Sequence, residues 1–355
     1  MNSGTSQLDL FGQPVPAVGE GEDEGTVQRA ARTAGAIGPA PALPALIELG
    51  QALPPALYLG TSSWSFPGWA GLVYDRSADP SRLSRDGLVA YARHPVLRAV
   101  GIDRTFYSPL PAAAFARHAA QVPDHFRFLV KAPSACTSSV VRSDGAPAVA
   151  NDQFLDERVA IDQFVRPALE GLGRKAGPLV FQFSPLGRAW TRVPQRFADA
   201  LDGFLGAVRA EEPDALLAVE VRDPEVLEPA FFAALAGHRV RYCIGVHARM
   251  PSVQEQAQRA RQVGPGALVV RWNLHSGFGY DEAKARYEPF DRLVDEDPVA
   301  RTALAALAFE TLGAGESVYV IANNKAEGSA PLTLTRLAEA VRGRLQARVD
   351  AGPVG

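Results

Sequence analysis

Leu57-Tyr58-Leu59-Gly60-Thr61-Ser62-Ser63-Trp64-Ser65-Phe66-Pro67-Gly68-Trp69 opens with an apolar run that stops at Gly60. Small hydroxyl residues follow, then two tryptophans divided by a Pro-Gly turn. The apolar run reads as a strand, and Pro67-Gly68 reads as a turn just past its end. Large aromatics on a loop expose apolar surface unless something covers them. The stretch is therefore read as the first strand of a parallel barrel, delivering its loop to a ligand site.

Further apolar runs follow at residues 99–103, 126–131, 179–183, 216–221, 240–246, 268–272 and 317–321. Helical spacing separates them, as at residues 83–94, 112–121, 154–172, 252–263, 280–287 and 298–312. Phe197, Leu201, Phe204, Leu205 and Val208 mark one face of another helix, and Leu334, Leu337, Val341 and Leu345 one face of the last. The runs are continuously apolar, which fits strands covered on both faces. Eight such units close most naturally into a single (β/α)8 TIM-type barrel. The competing doubly wound sheet would carry a GxGxxG turn after its first strand, and this chain has Gly60-Thr61-Ser62-Ser63 there. The barrel is placed at residues 42–348, with a short helix at 42–53 covering its bottom and a C-terminal tail at 349–355.

Composition narrows the partners. Of 355 residues, 47% are hydrophobic and 21% charged, enough to bury one large core, and the net charge of -3 supplies no global basic field for nucleic acid or anionic membrane. Cys136 and Cys243 stand far apart without a CxxC pair, so a disulfide framework or cysteine zinc site is not expected. Both read as inert fillers. No signal peptide is read at the N-terminus, and no uncharged apolar run reaches the ~20 residues that span a bilayer. A cytoplasmic location is expected.

Residues 1–41 are rich in Gly, Ala, Pro and Glu and too poor in large apolar residues to fold alone, so a disordered tail is expected. Gln7-Leu8-Asp9-Leu10-Phe11 is the exception. It is similar to the pentapeptide by which bacterial replication and repair proteins dock on the DNA sliding clamp. The similarity implies Leu10 and Phe11 in a pocket and Gln7 hydrogen-bonded at a second point. The competing reading is a segment that packs back on the barrel.

In this architecture the functional mouth lies at the C-terminal ends of the strands. Those ends carry Ser63, Trp64, Asp103, Tyr107, Lys131, Gln182, Glu220, Arg222, His247, Arg271, His275, Asn323 and Asn324. Polar groups closing apolar strands need partners or a ligand. They could satisfy one another, for example Lys131 with Glu220 and Arg271 with Asp103. A purely structural layer, however, has no need of Trp64 and Tyr107 beside it.

The barrel portion resembles the YecE-like family, known as domain of unknown function 72. Carrying the resemblance are Gly60-Thr-Ser-Ser-Trp-Ser-Phe-Pro-Gly-Trp69, Thr105-Phe-Tyr107, Phe126-Arg-Phe-Leu-Val-Lys131 and Gly177-Pro-Leu-Val-Phe-Gln182. Ala218-Val-Glu-Val-Arg222 and Asn323-Asn324 followed by Glu327-Gly328-Ser-Ala-Pro331 complete it. It implies a TIM-type barrel related in shape to the xylose-isomerase and endonuclease-IV group, and it supplies no reaction. Two departures stand out. Gly101 and Asp103 occupy the second-strand motif where the family usually has a glutamate and an asparagine. The seventh strand reads Arg271-Trp-Asn-Leu-His275-Ser-Gly277 in place of Arg-Leu-His-Gly.

Glu220, Lys131 and Asp103 are the expected catalytic residues. A carboxylate desolvated by aromatics can act as general acid or base, and Lys131 can orient an anion or act as a nucleophilic amine. Trp64, Tyr107, Gln182, Arg222, Arg271, His275, Asn323 and Asn324 are the expected substrate contacts, with Trp64, Trp69 and Tyr107 suited to stacking on a sugar or base. The loop after the eighth strand, with Lys325, Gly328 and Ser329, also favours negative charge. No cofactor is specified. A divalent metal at His247, Glu220 and His275 is the less favoured alternative, because no HxH or HxxxH spacing ties a pair together. The leading expectation is an enzyme that binds an anionic, ring-containing substrate, with part of a nucleic acid under repair as one candidate. Its alternatives are an isomerase- or hydrolase-like enzyme acting on a sugar or sugar phosphate, and a non-catalytic ligand-binding accessory of the clamp.

Overall fold

A computed structural model describes residues 35–141, 148–275 and 277–351. The pentapeptide at residues 7–11 lies outside the described residues. Eight parallel strands close into a barrel: β1 (Leu57–Thr61), β2 (Leu97–Ile102), β3 (Arg127–Lys131), β4 (Ala176–Gln182), β5 (Leu217–Glu220), β6 (Arg241–Val246), β7 (Leu268–Trp272) and β8 (Val318–Ala322). Each strand pairs with its neighbours in the chain, and β1 also pairs with β8, which closes the sheet. The strands fall within a few residues of the apolar runs. Helices cover the outside. In the helix Pro194–Glu211, Phe197, Leu201, Phe204, Leu205 and Val208 are all buried, as their spacing requires.

The interior is layered because side chains of a barrel strand point alternately inward and outward. Ala99, Leu129, Val180, Ala218, Cys243, Val269 and Ile321 form a buried apolar cluster of their own inside the barrel. Nearer the strand starts, Tyr58 and Tyr319 stack with ring centroids 4.7 Å apart. One step of two residues in the other direction brings Gly101, Lys131, Gln182, Glu220, Gly245, Arg271 and Asn323 onto the same inward face. An apolar plug therefore seals the floor, and the polar residues above it can be reached only from the C-terminal mouth.

Several expectations shift in detail. The helix expected at 83–94 is divided into Pro80–Asp86 and Leu88–Tyr91, with Gly87 between them. The segment expected as one helix at 154–172 contains a π turn at Ile161–Val165 before Arg166–Leu172. Pro167, lacking an N–H, cannot continue the regular ladder there. Packing begins before residue 42: Ile37 is buried, and the Gly38 and Ala40 amides donate to Asp75 Oδ1 and the Val73 carbonyl. The last helix, Ala330–Asp350, passes the expected boundary at 348. The helix Pro44–Ala52 lies where Arg98, near the start of β2, donates to the Gly50 and Pro54 carbonyls. Among the described residues, no helix is long and apolar enough to cross a membrane.

Gly60 permits the close approach of β1 to β2. A Cβ there would stand 2.1 Å from the Ala99 carbonyl oxygen, at the point where the register of the two strands shifts. Gly60→Ala is expected to lower stability by about 1–3 kcal/mol or more, as overpacking does. The reading is a lower urea midpoint at unchanged slope; an unmoved midpoint would refute this account.

Candidate active site

Glu220, at the end of β5, is wholly buried. A carboxylate out of water stays ionised only when cations and donors reach it. Arg271 of β7 donates through Nη1 to its Oε2 at 2.9 Å. Arg222 Nη2 lies 2.8 Å from its Oε1, which also accepts from Asn273 Nδ2 at 3.1 Å. Burial alone would raise the Glu220 pKa, but the Arg222 and Arg271 charges outweigh it and hold the carboxyl below its ordinary range. Gly245 of β6 lies between the two strands, in register with Arg271. A Cβ on Gly245 would come 3.2 Å from Glu220 Oε1, so the missing side chain is what lets the pair span β6. Arg271 extends the network through Nη2 to Asp103 Oδ2 at 2.5 Å.

Lys131 stands at the end of β3, buried, with Nζ 3.6 Å from the centroid of the Phe106 ring. Among the described residues its Nζ has no hydrogen-bond partner in the protein. Burial, reinforced by the Arg271 charge, lowers its pKa to about 7. Two further polar atoms of this layer are buried without a hydrogen-bond partner among the described residues, Asp103 Oδ1 and Arg222 Nη1.

These groups border a cavity of about 410 Å³, within the range of small-molecule sites. Asp103, Lys131, Gln182, Arg222, His247, Arg271 and Asn323 from the expected set line it. Asn323 is oriented by its own loop: Nδ2 donates to Ser62 Oγ at 3.0 Å, and Oδ1 accepts the Lys325 amide. The His247 pKa falls to about 4 through burial and the Arg222 charge, so its ring is neutral at physiological pH.

Four expected contacts fall elsewhere. Trp64 is buried beside His118 and donates through Nε1 to the Ser84 carbonyl, because its loop folds back on the outer helices. Trp69 donates to Asn324 Oδ1 at 3.2 Å, and that oxygen also accepts the Ala330 amide. Asn324 therefore latches the β1 and β8 loops together and does not line the cavity. Tyr107 packs on Phe106 with its ring partly exposed, also outside the cavity lining. His275 accepts the Gly277 amide on Nδ1 and lies beside Phe278, likewise outside. The trio considered for a metal is thus dispersed, with both Glu220 oxygens committed to Arg and Asn donors. Among the described residues, no group of three His, Cys, Asp or Glu side chains could hold a metal ion.

Residues not singled out at the outset also line the cavity, among them Ser184, Arg249, Asn273, Phe278 and Tyr280. Asn273 sits two residues beyond Arg271 on the same alternation, a signal already present in the strand. Phe278 and Tyr280 belong to the connection after β7, and no periodicity relates them to a strand end.

The model of a protein family described as "Protein of unknown function DUF72" matches residues 58–353. The chain belongs to the DUF72 family. A DUF72 family protein of Enterococcus faecalis V583, solved at 3.10 Å resolution, is 18% identical with a TM-score of 0.53, over 80% of this chain and 95% of that one. A DUF72 family protein of Thermotoga maritima MSB8 is also 18% identical, with a TM-score of 0.51, over 82% of this chain and 99% of that one. At these identities the likeness establishes the shared barrel. No curated protein matches the sequence.

At the second-strand departure of this DUF72 barrel, a Cβ at Gly101 would lie 3.1 Å from the Ser62 Cα and 3.4 Å from Ile321, a tight fit that favours a small residue at that depth. Asp103, one inward position higher, supplies the carboxylate that meets Arg271. Arg271→Met would leave Glu220 and Asp103 short of their shared cation. Removing one partner of a buried ion pair costs about 3–5 kcal/mol, and a loss of that order is expected in denaturant unfolding. Wild-type stability in this variant would show that the network is not what holds Glu220 in place.

Proposed function

We propose that this DUF72 barrel is an enzyme that binds a compact anionic substrate of sugar-phosphate size in its mouth. In this reading Arg222 holds the anion, Asp103 accepts from a substrate hydroxyl, and Lys131 is the reactive group. One observation carries the proposal: Lys131, Arg222 and Asp103 line one cavity, and among the described residues Lys131 Nζ, Arg222 Nη1 and Asp103 Oδ1 have no hydrogen-bond partner. Unpaired polar groups in a desolvated site are costly unless a ligand completes them. The charge balance favours an anion. Lys131, Arg222, Arg249 and Arg271 face the cavity, against Asp103 in the lining and Glu220 beneath it. Phe278 and Tyr280 offer apolar ring surface at the rim, which suits the non-ionic face of a sugar or a base.

Inorganic phosphate and sugar phosphates are expected to raise the thermal midpoint of the full chain, while the corresponding neutral sugars leave it unmoved. Arg222→Met should remove the anion-dependent rise. Equal response to charged and neutral sugars, or none to either, would overturn the assignment.

The pentapeptide Gln7-Leu8-Asp9-Leu10-Phe11 supports a second reading, in which docking on a bacterial sliding clamp brings the barrel to nucleic acid under repair. Tethering of this kind raises local concentration near DNA without any basic surface on the barrel itself. Calorimetric titration of the full chain into purified clamp should show binding that the Leu10→Ala, Phe11→Ala double variant loses. Undiminished heat from the double variant would remove the pentapeptide from consideration.

A further inference from the structure

We propose that Lys131 is a covalent nucleophile, forming an imine with the carbonyl carbon of an anionic aldehyde or ketone held in the barrel mouth. The inference rests on the reading of this cavity as an anion site and names its substrate class: a carbonyl compound bearing phosphate or carboxylate.

Two features of the geometry point this way, and the electrostatics agree. The lysine lines the cavity from the end of β3, buried, with its amine against the Phe106 ring. Among the described residues no carboxylate forms an ion pair with it, and Glu220 is taken by Arg271 and Arg222, and Asp103 Oδ2 by Arg271. A lysine kept only for charge would be expected to meet one of those carboxylates directly. Arg271 intervenes, and it also disfavours a positive charge on the amine. Desolvation beside another cationic group is a known means of activating an amine toward carbonyls.

The step balances without any oxidant or reductant. The nitrogen lone pair forms the C–N bond as the carbonyl π pair moves to oxygen. One amine proton passes to that oxygen, giving a carbinolamine. The nitrogen lone pair then expels the hydroxyl, which takes the second amine proton and leaves as water. In this step Asp103, which lines the same cavity and whose Oδ1 has no hydrogen-bond partner among the described residues, relays these protons. Arg222 would anchor the anionic end of the molecule.

The chain contains four lysines, Lys131, Lys175, Lys284 and Lys325, so the test has internal controls. Full-length protein at neutral pH is treated with pyridoxal 5′-phosphate or with phosphate-free pyridoxal. The imine is reduced with borohydride to a stable secondary amine and mapped by peptide mass spectrometry. The 5′-phosphate is expected to label Lys131 about tenfold faster than any other lysine. Arg222→Met should slow that labelling, and Lys131→Met should abolish it without labelling shifting elsewhere. Even labelling of the other lysines with Lys131 spared would overturn the inference. If inorganic phosphate stabilises the protein while Lys131 stays unmodified, the anion site stands and the imine falls. Fast labelling of Lys131 by both probes alike, unaffected by Arg222→Met, would keep the nucleophile and remove the anion site.

Discussion

Glu220 is a carboxylate without solvent contact, and a buried anion must be met by cations or be neutralised. The barrel meets it from two directions, with Arg271 two strands away and Arg222 just beyond its own strand end. That requirement explains several features that look unrelated in the chain. Gly245 must lack a side chain so that the pair can cross β6. Asn273 must turn inward to fill the remaining valence of Oε1, and Asp103 must balance the second face of Arg271.

The same network shapes what is left for a ligand. Because Arg271 holds both carboxylates, Lys131 has no anion of its own and borders the cavity with Phe106 against its amine. Burial and the neighbouring guanidinium then disfavour its charge. The roles expected of Glu220 and Lys131 at the level of sequence accordingly separate. Glu220, fully engaged and held ionised, is suited to positioning the cations. Lys131 is the group with both chemical freedom and access.

Legibility in the sequence followed the kind of constraint involved. Strand positions were readable because a strand covered on both faces must be apolar along its whole length, and every β-strand of the barrel coincides with such a run. The polar residues that close those runs were readable for the same reason, since Lys131, Glu220 and Arg271 interrupt the pattern on the inward face. For the aromatics the sequence left stacking on a ligand and closing the barrel top as equal readings. Trp64 and Trp69 lie on a loop in sequence, but their loop turns back to pack on the Pro80–Asp86 helix and the β8 loop, with Asn324 as the latch. Whether a loop aromatic faces a ligand or the protein depends on the path of the loop, which no local pattern encodes.

By itself, then, the sequence determined the eight-fold alternation, the closed parallel barrel and the set of polar tips on its inner face. These follow from runs that are apolar along their length, as strands covered on both faces must be, separated by segments of helical spacing. Tertiary structure alone decided which tips pair with one another. It put Arg271 between two carboxylates, left Lys131 without a carboxylate partner among the described residues, and brought Phe278 and Tyr280 to the cavity wall from the long connection after β7. Such choices depend on distances between strands that are far apart in the chain, and on the space a glycine leaves between them.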